Sequence, residues 1–377
     1  MRLGIPREIK NGENRVALTP KGVGLLVQQG HTVLVEESAG IASGFPDVLY
    51  RQAGAEIVGQ SDAWSAEWVI KVKEPLPEEY SFFRPDLGVF TFLHLAAAPK
   101  LAEALLKERV RAIAYETIAL EDGSLPLLAP MSQIAGRVAM MMAAEYLRSD
   151  TIKPCDKSPQ KSYQKGMLLG GIAGVNTGHV TILGAGNVGM QAADVAVALG
   201  ASVSIFDCQQ DRLNICAKRW PGKHVSTALL DESSLLETLP CSDILIGAAL
   251  IAGEHAPQLL TADHIALMEK GSIFMDVAID QGGVSQSSQV TSYDNPVYLC
   301  NGVWHCCLPN FPASVPRTSS LALEHASLAY ISMLASNPFY EIIKENNALR
   351  CGLNVLNGGI VHAGVASALG LPLAPPF

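Results

Sequence analysis

The stretch 179–207, HVTILGAGNVGMQAADVAVALGASVSIFD, constrains this chain more than any other, because an apolar strand, a glycine turn, a helix and a second strand follow one another without a break. Residues 180–183 read as a buried strand, and Gly184, Gly186 and Gly189 complete G-x-G-x-x-G as the helical pattern of 187–199 begins. In such a turn the first glycine permits the sharp bend, the second lets the backbone approach a pyrophosphate, and the third lets helix and strand pack closely. The phosphates then meet a helix N-terminus, where free N–H groups and the positive dipole end favour an anion. Alone, the glycines could mark nothing more than a strand-to-helix bend. The second strand, 202–206, adds context: it runs into Asp207, 18 residues beyond Gly189, close to the spacing of the acid that binds the adenosine ribose. A carboxylate accepts from both ribose hydroxyls and repels a 2′-phosphate, so the expected cofactor is NAD(H). Arg212 keeps NADP(H) open as a second reading, since a guanidinium nearby could hold that phosphate.

A βα pattern occurs twice, once before residue 130 and once after 166. With 377 residues, this predicts an α/β protein of two Rossmann-like, doubly wound parallel-sheet domains with a cleft between them. Residues 1–131 with 308–377 form the expected substrate domain and 132–307 the cofactor domain. In the first, strands are expected at 3–5, 32–36, 68–72, 89–93 and 112–115, with Thr19-Pro20 opening a helix and further helices at 47–53 and 99–108. Ser132 is expected to cap a helix reaching about Arg148, and the polar segment 150–165 to form an exposed loop. Further strands are expected near 243–247 and 272–276, and the helix 318–335 should return the chain to the first domain.

A net charge of −9 and a pI near 5.5 argue against a nucleic-acid or anionic-membrane surface. No segment approaches the ~20 uninterrupted apolar residues of a membrane span, and residues 1–10 carry no signal-peptide pattern, so the cytoplasm is the expected location. The eight cysteines all follow residue 150 and show no C-x-x-C spacing, so neither a metal site nor a disulfide framework is expected. Adjacent Cys306 and Cys307 read as small buried positions on a strand rather than as a redox pair.

Lys73 and His94 fall at strand carboxyl ends, where open α/β sheets gather their ligands. With Arg15 they could bind and protonate a small keto acid. Arg15 offers a bidentate fork for a carboxylate, Lys73 a point cation, and His94 a group that titrates near neutrality. Taken one at a time, a surface ion pair or a satisfied buried imidazole would explain each equally well.

The blocks GIPREIKNGENRVALTP, KVKEP, FLHLA, AYET, LLAPMSQIAGR, GMLLGGIAGV, DVAIDQGG, NFPASVPRTSSLAL and GLNVLNG follow in order through nearly the whole chain. In them the chain resembles the alanine dehydrogenase family, which is related to the nucleotide-binding component of nicotinamide nucleotide transhydrogenase. The resemblance implies reversible NAD-dependent oxidative deamination of L-alanine to pyruvate and ammonia. It implies that Arg15 and Lys73 hold the pyruvate carboxylate and carbonyl, that His94 is the acid/base and that Asp280 completes the catalytic set. It also implies that Ser132, Asp207 and Asn310 lie against the cofactor, and that the protein assembles as a homohexamer. The chain departs from the family pattern at Gln133, where Glu is usual, in the inserted look of 150–165, and in the tail after Asn354. Two other functions would use the same cradle: a transhydrogenase-like nucleotide-binding component, and a non-catalytic NAD(H)-binding protein.

Overall fold

Runs of aliphatic residues that end at glycine, proline or a charge become the strands of the computed structural model, which describes residues 1–152, 164–249 and 256–375. The chain divides into two compact units, 1–131 with 313–377 and 132–312. The second unit runs on to Pro312, and within it the Tyr293 hydroxyl donates to the carbonyls of Asn310 (3.0 Å) and Phe311 (3.4 Å).

The first unit opens with β1 (Arg2–Ile5), β2 (Thr32–Glu36), β3 (Glu56–Val58), β4 (Trp68–Ile70), β5 (Gly88–Thr91) and β6 (Arg111–Ala114). The second holds β7 (His179–Leu183), β8 (Ser202–Asp207), β9 (Val225–Leu229), β10 (Ile244–Gly247), β11 (Ile273–Asp276), β12 (Tyr298–Cys300) and β13 (Val303–Cys306). Back in the first unit lie β14 (Leu353–Leu356) and β15 (Gly359–Ile360).

The first sheet runs β15-β14-β6-β5-β4-β1-β2-β3 and the second β12-β13-β11-β10-β7-β8-β9. Pairing is parallel except at one edge of each sheet, where β14 opposes β6 and β15, and β12 opposes β13. The sheets are therefore parallel-dominated and mixed at that edge rather than wholly parallel. Strands such as β4, β5, β10 and β11 are buried on both faces, which is why their sequences are continuous apolar runs without alternation. In both sheets the strand order reverses beside the first strand, between β1 and β4 and between β7 and β10. Ligands of doubly wound sheets bind beyond the carboxyl ends of strands at such points. No helix among the described residues is long and apolar enough to cross a membrane.

Several local expectations change. Ser132 is not a cap: the helix Ala129–Tyr146 has already begun, with Pro130 in the first turn, where a missing N–H costs nothing. Most of the expected loop at 150–165 lies outside the described residues. Its last residue, Lys165, is not exposed, since its ammonium pairs with Asp243 and, at 2.8 Å, with Glu269. Cys306 ends β13 and Cys307 follows it; both are fully buried, and burial pushes their thiols up to about 12 and about 11.

Thr19-Pro20 does open the helix Pro20–Gln28, but the threonine side chain does not cap it. Glu324, from the helix Pro316–Ser336, accepts from the Thr19 backbone N–H and, at 2.9 Å, from its hydroxyl. A Cβ at Gly22 would run into that carboxylate, so glycine there makes room for a cap supplied from another helix. Removing it strands a buried N–H. Glu324→Ala is expected to lower the unfolding free energy by about 1–3 kcal/mol in urea titration; an unchanged midpoint would show that solvent satisfies the helix end.

Candidate active site

At the carboxyl edge of the first sheet a buried charge cluster fixes the backbone. The Lys71 ammonium lies 2.8 Å from Glu79 and 3.4 Å from Glu8, with all three side chains at most 3% exposed. Burial alone would lower the Lys71 pKa, yet attraction to Glu8 and Glu79 outweighs it and raises it. Glu8 also accepts from the backbone N–H groups of Val72 (2.7 Å) and Lys73 (3.3 Å), which ties the segment after β4 to the segment after β1. The Thr91 hydroxyl, at the end of β5, donates to the Lys73 carbonyl at 2.9 Å.

Lys73 is thus held from both sides. Its ammonium is largely buried and makes no hydrogen bond to a described residue. Burial first, and then the Arg15 guanidinium, lower its pKa from the ordinary lysine value. Arg15 itself is buried, but its fork is not turned to solvent: Nε and Nη2 donate to Glu13 at 2.6 and 2.5 Å, and Nη1 lies 3.1 Å from the Met131 sulfur. What Arg15 brings to Lys73 is charge.

His94 follows β5 in the left-handed region, φ 49° and ψ 36°, a conformation that costs a non-glycine residue roughly 1–3 kcal/mol. Glu116, beyond β6, holds it there by accepting from His94 N (2.6 Å) and Leu93 N (3.2 Å), while the imidazole stacks on Phe92 at 6.0 Å. Glu74 completes the group. Its carboxylate pairs with Lys10, and although burial pushes it up, Lys10, Lys73 and His94 together hold it below the usual carboxylate range.

In the second unit each glycine of the cradle has its own constraint. Gly184 has φ 109°, and a Cβ there would sit 2.7 Å from the Ala248 carbonyl oxygen at the end of β10. A Cβ at Gly189 would overlap the Gly184 carbonyl, so the helix Asn187–Ala198 could not lie so close to β7. Around Gly186 no described residue lies within 4 Å of that position, at a helix N-terminus. This is the geometry a pyrophosphate needs, and the residues fit a dinucleotide.

Asp207 closes β8; its Oδ2 accepts from Ala185 N at 2.7 Å and its Oδ1 from Gln209 N at 2.8 Å. It therefore fixes the glycine turn, and each oxygen keeps a second acceptor direction for a ribose hydroxyl. Arg212 lies 3.7 Å from the same carboxylate. Ser132 sits one turn before Gly136, whose missing Cβ lets the helix Ala129–Tyr146 touch the Val188 carbonyl at the start of the cradle helix; positions i and i+4 share a face, so Ser132 lies on the face toward the cradle.

Asp280 is exposed in the turn Ile279–Gln281 after β11. The buried Asp276 shapes that turn by accepting from Ala278 N (3.1 Å), Val284 N (2.8 Å) and the Ser288 hydroxyl (2.5 Å), with Gly282 and Gly283 left-handed beside it. Asn310 follows β13. Arg15, Lys73 and His94 thus gather in the first unit, and the other expected residues belong to the second. Sequence reasoning missed Glu8, Glu13, Glu74 and Glu116, each an acid next to a cation or a strand end in PREIK, NGENR, KEP and AYET.

The family description "Alanine dehydrogenase/PNT, N-terminal domain" matches residues 4–135, and "Alanine dehydrogenase/PNT, C-terminal domain" matches 154–363. The alanine dehydrogenase of Staphylococcus haemolyticus is 46% identical over 373 residues, covering 98% of this chain and 97% of that protein. Alanine dehydrogenase 2 of Staphylococcus aureus is 46% identical over 370 residues, covering 98% and 96%. Among solved structures, an L-alanine dehydrogenase superposes with TM-score 0.92 at 43% identity, covering 98% of this chain and 99% of that one. A transhydrogenase from Sinorhizobium meliloti shares the fold with TM-score 0.78 at 24% identity, covering 96% and 99%.

The charge environment of Lys73 can be read directly by NMR on ¹³C-methylated lysines. Lys73 is expected to titrate below the exposed lysines, and Arg15→Gln to move it upward, because a neighbouring cation has been removed. An unmoved titration in Arg15→Gln would show that the guanidinium does not act on it.

Proposed function

The chain belongs to the alanine dehydrogenase/PNT family, and from that premise we propose that it is an NAD-dependent dehydrogenase that converts L-alanine reversibly to pyruvate and ammonia. The observation that carries the reading is Lys73, a partly buried side chain whose ammonium makes no hydrogen bond to a described residue and feels the charge of a second cation, Arg15. A cation in that position is stabilised by an anionic ligand, and a small carboxylate supplies one. Gly184, Gly186, Gly189, Asp207, Ser132 and Asn310 would hold NAD⁺, which when bound would supply the acceptor for the Cα hydride.

Lys73, backed by the charge of Arg15, receives the substrate carboxylate and the carbonyl oxygen. Charge that develops on that oxygen is stabilised without reorganisation, because Glu8 and Thr91 have already fixed the Lys73 backbone. His94 moves protons: it takes one from the water that adds to the iminium and returns one to the departing amine. Its position on a backbone clamped by Glu116 holds the imidazole in one place through both transfers. Asp280, on the turn after β11, is the carboxylate proposed to complete the set. Asp207 favours NAD(H), and the Arg212 pairing with Asp207 engages the guanidinium that NADP(H) would need. A homohexamer in the cytoplasm is part of the same proposal.

Purified protein given L-alanine and NAD⁺ should raise absorbance at 340 nm. A nucleotide-binding component or a sensor would bind NAD(H) and leave it flat, and a flat trace defeats the proposal. His94→Ala is expected to bind NADH normally and lose turnover by roughly 10²- to 10⁴-fold. Asp207→Ala should instead weaken NAD⁺ binding by about 1.5–3 kcal/mol and relax discrimination against NADP⁺; unchanged nucleotide affinity would remove Asp207 from the ribose site.

A further inference from the structure

An amino acid is a zwitterion at neutral pH, and Arg15 and Lys73 answer only its carboxylate. Around them stand five carboxylates, four already committed. Glu8 and Glu79 pair with Lys71, and Glu8 also holds two backbone N–H groups. Glu13 takes the Arg15 fork, and Glu116 clamps the backbone of Leu93 and His94.

Glu74 differs. Its Oε1 pairs with Lys10, but its Oε2 is buried and has no hydrogen-bond partner among the described residues. An ionised carboxylate oxygen out of water and without a donor is costly unless a ligand brings one. The residue is also held in place: Lys73 before it is tied to Glu8 and Thr91, and Pro75 after it is buried with a fixed φ. The charges of both Lys73 and His94 act on it and help hold it below the usual carboxylate range.

We propose that Glu74 Oε2 receives the α-ammonium of the amino-acid substrate, and so selects amines over 2-hydroxy acids at this site; the inference rests on the dehydrogenase reading above. A cation sits at that nitrogen twice. The bound ammonium gives one proton to His94, which passes it to solvent before it acts on water, and the nitrogen lone pair forms the C=N bond as the Cα hydrogen leaves with its electron pair, for which bound NAD⁺ would be the acceptor. The nitrogen is positive again in the iminium. A fixed carboxylate stabilises both cations, whereas an alcohol substrate presents no charge to it.

Glu74→Gln keeps the size and removes the charge. Its kcat/KM for L-alanine is expected to fall roughly 10²-fold, while the inhibition constant of pyruvate, which has no amine, moves less than about threefold. Glu74→Asp, which retains an anion for Lys10, guards against loss of fold and should lose about tenfold on alanine alone. Parallel losses for alanine and pyruvate in both variants would make Glu74 a support for Lys73 and overturn the inference, as would wild-type kinetics with alanine. An active wild type with unaffected Glu74 variants defeats only this inference; a wild type inactive with alanine defeats the underlying reading as well.

Discussion

The first unit depends on one buried ion cluster, the Lys71 ammonium between Glu8 and Glu79. Charges taken out of water are tolerated only when paired and hydrogen-bonded, and removing one member of such a set typically costs about 3–5 kcal/mol. Glu8 makes the cluster more than a filler. The carboxylate that neutralises Lys71 also accepts from the backbone of Val72 and Lys73, so the orientation of the neighbouring cation is set by the same interaction that stabilises the edge. Lys71 and Lys73 are two residues apart and chemically identical, yet one is paired with two carboxylates and the other makes no hydrogen bond through its ammonium to a described residue.

The second unit uses the same device with backbone donors. Asp207 and Asp276 stand at the carboxyl ends of β8 and β11, and each folds the adjoining loop by accepting main-chain N–H groups. For Asp207 this would couple cofactor recognition to the glycine turn: the residue proposed to read the ribose also fixes Ala185, between Gly184 and Gly186. Asp276 does the same for the turn that carries Asp280. In both units a buried carboxylate organises a loop that presents a less buried functional group.

Much of this was legible in the sequence where a local rule had one solution. The cradle from β7 to β8 was read closely, because three glycines and an acid at fixed spacing leave little choice. The edge strands β3, β9, β12 and β15, and β14 beside β15, do not stand out in the sequence, since they are two to five residues long and several are partly exposed, with too few positions to show a period. Ser132, a hydroxyl before an apolar run, satisfies the rule for a cap, but the helix has already started at Ala129-Pro130. The Glu324 cap and the Glu13 grip on Arg15 could not be read. The first joins residues about 300 apart in sequence, and the second replaces a ligand fork with an internal partner two residues away. Of the site, the cations and the imidazole were legible and the acids that hold them were not, because a surface glutamate and a buried one look alike until the fold brings a cation to it.

The central claim is that a substrate held by Lys73 loses its Cα hydrogen as a hydride to a nicotinamide seated on the glycine cradle. L-Alanine deuterated at Cα, incubated with NAD⁺ and this protein, tests it directly. The account predicts deuterium at C4 of the nicotinamide ring in the NADH recovered, read by proton NMR, with none released to water. Deuterium in the solvent, or NADH without label, would contradict it.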